Sequence, residues 1–163
     1  MATQAKAKYI LDALVTRLRT IDGTGVYNYD LSGTTKVVRR QRLPATAPSV
    51  SVYLPQSEGD QFASLSRREL VLQVYLDLRV TPTTGDYGAT EDALLNMQSD
   101  LCRVIGDLPA LNAITEAAAN PTKVVDMIAT RLYRHGDDIT SPEMPNGRIV
   151  VELKYITTLT EGI

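Results

Sequence analysis

The sequence contains one histidine, His135, followed by Gly136, Asp137 and Asp138. A multi-histidine metal site is therefore excluded, and any catalytic triad would have to be built on this one imidazole. Asp137 and Asp138, joined by Asp86 or Glu143, have the oxygen chemistry that holds a hard cation. Their spacing is not that of an EF-hand loop, and adjacent acids in a loop rich in Gly and Pro are ordinarily just solvated. The single cysteine, Cys102, lies within a helical apolar pattern with no histidine near it to activate the thiol, so packing is the expected role. One cysteine also allows no intramolecular disulfide, which fits synthesis in a reducing cytoplasm. Gly23, Gly25 and Gly33 do not give the G-x-G-x-x-G spacing, and no G-x-x-x-x-G-K-S/T loop is present to cradle a phosphate. No pair of carboxylates stands out for glycosidic chemistry. The expectation is a protein that is not an enzyme and takes no cofactor.

One charged constellation does stand out. Lys36, Arg39, Arg40 and Arg42 lie on or beside a β-branched stretch, and Arg67 and Arg68 open the longest alternating segment. Residues 1–42 hold eight Lys/Arg against three Asp/Glu, whereas residues 43–163 hold nine against sixteen. Such asymmetry suits either phosphate contact or two oppositely charged patches that meet when copies of the chain pack together. An acidic pI near 5.4, the lack of tryptophan and the single phenylalanine favour subunit contact. No helix-turn-helix, RNA-recognition or OB pattern is visible either. The six basic residues are thus expected at an interface between subunits.

The elements that must position these residues follow from hydrophobic periodicity. At 163 residues with 44% hydrophobic content, the chain is expected to form one domain over 1–163 without help from metals or disulfides. No apolar run is long enough to span a bilayer, and Asp12, Arg17 and Arg19 interrupt what a signal peptide would keep apolar. Ile10, Leu11, Leu14, Val15, Leu18 and Ile21 recur at helical spacing, and that helix is expected to stop at Gly23 or Gly25. Thr34 to Arg42 and Ser49 to Leu54 read as strands separated by Pro44 and Pro48.

From Glu69 to Val80, Leu70, Leu72, Val74, Leu76, Leu78 and Val80 share one face of a strand about 40 Å long. A strand of that length overhangs its own sheet and offers the overhang to a neighbour. Thr90, followed by Glu91 and Asp92, signals a second helix with an apolar stripe from Leu94 to Leu108 and an end at Pro109. Ala110 to Asn120 reads as a short helix, Lys123 to His135 as a strand, and Arg148 to Thr158 as the closing strand. Loops are expected at Pro55 to Ser66, Thr81 to Ala89 and His135 to Gly147. The order predicts an α+β domain, with a mostly antiparallel (mixed) sheet and two main helices packed on one face.

This order resembles the tail terminator, or tail completion, proteins of long-tailed bacteriophages. The resemblance rests on the helix around Ile10-Leu11-Asp12-Ala13-Leu14, the strand Ala47-Pro48-Ser49-Val50-Ser51-Val52-Tyr53, and the long strand from Arg67 to Leu76. The helix from Glu91 to Ile105 and the strand from Gly147 to Tyr155 complete it. It covers nearly the whole chain, with Ala110 to Asn120 as a departure. It implies a homo-oligomer, a hexameric ring, that caps the tail tube protein, ends tail polymerisation and meets a head-tail connector protein. DNA would be a partner only by passing through the ring, and no membrane is involved. A closed ring uses head-to-tail contacts between two different patches, a role that the charge asymmetry suits. Another ring component of the virion neck or tail, or a DNA-contacting module using Arg39, Arg40 and Arg42, are the alternatives.

Overall fold

The computed structural model describes residues 6–39, 44, 46–54, 67–81, 85–118, 121–134 and 146–158. The expected loop at Pro55 to Ser66 lies outside them, as do His135, Asp137, Asp138 and Glu143. The described residues form an α+β fold of three helices and a five-stranded mixed sheet.

α1 (Lys6–Leu18) turns Ile10, Leu11, Leu14, Val15 and Leu18 to the core and leaves Asp12 outside. It is shorter than its apolar spacing suggested. Ile21 is fully buried but belongs to the turn after the helix, where its amide donates to the Leu18 carbonyl and its carbonyl accepts from the Leu31 amide. The loop between Ile21 and Leu31 is pinched by a bridge between Asp22 and Asp30. Gly23 adopts φ 73° against Asp30, where a β-carbon would meet that residue at 3.2 Å, so glycine alone fits there.

β1 (Val37–Val38) is much shorter than the expected Thr34 to Arg42. The Lys36 amide closes a turn onto the Gly33 carbonyl, so Gly33 to Lys36 cannot extend the ladder. β1 runs parallel to β2 (Ser49–Tyr53), and all the other pairings are antiparallel. β3 (Arg67–Arg79) pairs with β2 only from Tyr75 to Arg79, but with β5 (Asn146–Thr158) residue by residue along its whole length. β4 (Val124–Arg134) follows β5 and forms the far edge, giving the order β1-β2-β3-β5-β4. Its register shifts twice, between Val124 and Asp126 and between Ala129 and Arg131. Bulges of this kind bend and twist an edge strand.

Two corrections concern the helices. α2 (Tyr87–Ile105) is capped by Asp86, not Thr90: the Asp86 carboxylate accepts the Ala89 amide at 2.9 Å, and the Thr90 hydroxyl donates back to the Asp86 carbonyl. A carboxylate at the N-cap answers the helix dipole better than a threonine one turn later. Nor does Pro109 end α2. The helix closes at Gly106, and Pro109 lies in the first turn of α3 (Leu108–Glu116), behind the cap Asp107, where its missing amide costs nothing.

The core lies between the helices and one sheet face. Val50 and Val52 of β2, Leu72, Val74, Leu76 and Leu78 of β3, and Ile149, Val151, Leu153 and Tyr155 of β5 meet Met97, Leu101 and Val104 of α2, Leu111 of α3 and the α1 stripe. Space at Gly147 is tight, since a β-carbon there would meet Leu78 of β3 at 3.1 Å and the Gln98 amide of α2 at 3.3 Å.

α2 also supplies a buried acid. Asp100, only 1% exposed, accepts the Asn28 amide at 2.7 Å, the Asn28 side chain at 2.9 Å and the Tyr29 amide at 3.0 Å. These bonds fasten the loop after α1 to α2. Asp100→Ala would strand those donors and is expected to cost about 3 kcal/mol. Urea unfolding should show the midpoint fall with an unchanged slope, and Asp100→Asn, which keeps one carbonyl acceptor, should lose less.

Candidate functional site

Of the six basic residues, the four within the described residues do not lie together. Lys36 and Arg39 flank β1, in line with the Leu78 end of β3 through the pairs Val37 to Val50 and Val50 to Leu78. Arg67 and Arg68 begin β3 at its opposite end. The run of strand from Arg68 to Leu78 is about 33 Å at roughly 3.3 Å per residue. Arg40 and Arg42 lie outside the described residues.

The two basic side chains that are described already have partners within the subunit. The Lys36 ammonium sits 2.7 Å from the Asp30 carboxylate, and the Arg39 guanidinium 2.9 Å from that of Asp12 on α1. Lys36 and then Ser32 hold the Asp30 carboxyl well below the usual carboxylate range. Arg17 pairs likewise with Asp107, the cap of α3, at 3.0 Å. Part of the charge asymmetry of the sequence is therefore satisfied inside one chain. All three pairs are partly exposed and screened by solvent, so they add little to stability.

The face of the sheet turned away from the core holds a tighter cluster, which sequence patterning did not reveal. Antiparallel register places Ser51, Asp77 and Arg148 in one row across β2, β3 and β5, and Tyr53, Tyr75 and Val150 in the next. Arg148 donates from Nε to Asp77 Oδ1 at 2.6 Å and from Nη2 to Asp77 Oδ2 at 3.0 Å, a bidentate fork. The same Nη2 reaches the Tyr53 hydroxyl at 2.7 Å, and that hydroxyl donates to Asp77 Oδ2 at 2.7 Å. The guanidinium lies 4.7 Å from the centre of the Tyr75 ring, which meets Tyr53 edge to face at 5.8 Å.

This arrangement ties three strands together. Both Asp77 oxygens accept hydrogen bonds within the cluster. Burial, reinforced by the hydrogen bond to Asp77, pushes the Tyr53 phenol up to about 12. The Asp77 hydrogen bonds likewise raise the Arg148 guanidinium above its ordinary value. In the sequence, Asp77 and Tyr53 fall opposite the alternating apolar residues of their strands. The register that aligns them with Arg148 was not legible in either strand alone.

Cys102 is half-buried against the core, and burial pushes its thiol up, so less thiolate forms at neutral pH than at a free cysteine. Among the described residues no group of three or more His, Cys, Asp and Glu side chains gathers to hold a metal ion. No described helix is long and apolar enough to cross a membrane.

Asp77→Ala would leave the Arg148 guanidinium without its fork on a mostly buried surface and should destabilise the fold by about 2–3 kcal/mol. Asp12→Ala, which breaks the exposed pair with Arg39, should cost less than about 1 kcal/mol. Thermal unfolding of the two variants side by side checks this order. An ultraviolet titration of the tyrosines should find one phenol ionising near pH 12, and that component should be missing in Tyr53→Phe. A phenol raised from an ordinary 10.0 to about 12 stabilises the fold fully below about pH 10 and loses that contribution as pH rises through about 12. Alkaline unfolding of Tyr53→Phe should accordingly be less steep over that window. No protein-family model matches the chain, and no curated protein sequence matches it.

Proposed function

We propose that the chain is a structural virion protein of a long-tailed bacteriophage, a tail terminator subunit. It assembles into a ring on the end of the tail tube, halts tail polymerisation and presents a docking surface to the head-side connector. One observation carries this reading. The β3–β5 ladder outruns the strands on both its sides: among the described residues, β2 stops at Tyr53 opposite Tyr75, and β4 begins at Val124 opposite Tyr155. Ile156 still donates its amide to the Lys123 carbonyl beside β4, so among the described residues the tip, Arg67–Arg68 against Thr157–Thr158, is a two-stranded extension. A two-stranded ribbon is marginal alone, so contact with a neighbouring subunit would stabilise it. The basic pair Arg67 and Arg68 belongs to this tip, which makes it a candidate for a head-to-tail contact with an acidic patch on the next subunit. Lys36 and Arg39, by contrast, already have their charges matched within the subunit.

Electron microscopy of the concentrated protein is expected to show closed rings of six subunits. If the free chain stays monomeric, antibody labelling of purified virions should still find it at the head-proximal end of the tail, and absence from that end would overturn the proposal.

Arg67→Glu with Arg68→Glu is expected to weaken ring formation, read by sedimentation velocity, while leaving circular dichroism unchanged. Arg39→Glu with Arg40→Glu should have the smaller effect on assembly. Should that second pair instead abolish retention on DNA and leave rings and tail length intact, the basic stretch is a phosphate site and the chain a DNA-contacting module.

A further inference from the structure

We draw no further inference here: the strongest candidate, the outer edge of β4 with its exposed Val125 and Ile128, carries nothing because nothing in the structure shows what covers it.

Discussion

The rest of the molecule depends on the register between β3 and β5. A slip of one residue would send Leu72, Val74, Leu76 and Leu78 to the open face and bring Gln73, Tyr75 and Asp77 under the helices. Two devices hold the register, one on each face. Under the helices, Gly147 stands opposite Leu78 and beside Gln98 of α2, where a β-carbon would crowd both, so a slip that put a larger residue there is disfavoured. On the open face, the fork between Arg148 and Asp77 forms only when those two residues stand opposite each other. The apolar contacts supply most of the burial energy, but they are individually interchangeable. The polar contact is directional and discriminates between registers.

The helices are organised by carboxylates of a different kind. Asp86 and Asp107 cap α2 and α3 through hydrogen bonds to amides in their first turns. Asp107 also receives Arg17 from α1, so one residue starts α3 and ties it to α1. Asp100 does from inside α2 what the caps do at helix ends, taking backbone amides of a loop that has no ladder of its own. Asp86, which the sequence offers as a candidate cation ligand, accepts a backbone amide here, as do Asp100 and Asp107, a common use for a carboxylate at a buried or terminal position.

Legibility followed the range of the interaction. Alternation in β3 and β5 is strictly local, and the inward residues expected from it, such as Val74, Leu76, Ile149 and Val151, are fully buried. The helical spacing of α1 was equally plain, yet Ile21 kept the same period beyond the end of the helix because the following turn also needed an apolar plug. Where two local signals competed, the weaker choice was made: Thr90 with its following acids resembled a cap, and Pro109 resembled a stop, although proline is equally at home in a first turn. The open-face cluster joins Tyr53, Asp77 and Arg148 across long stretches of chain, and no window contains all three. For the basic residues, the partners and positions were set by folding over long range. Arg39 is matched by Asp12 through folding, and Arg68 is carried to the other end of the sheet by the length of β3.

A small detail at β1 has a larger meaning for the sheet. Successive carbonyls in a strand point to opposite sides. The Lys36 carbonyl accepts the Val50 amide toward β2, so the next carbonyl, that of Val37, faces outward from the sheet. That outward oxygen is already taken by Arg19 of the segment after α1, at 2.7 Å, and the same guanidinium also holds the Thr34 carbonyl. A foreign strand approaching β1 would have to displace an arginine before finding its first acceptor. At that acceptor the β1 margin is thus occupied by the chain itself, which disfavours growth of the sheet by strand addition there.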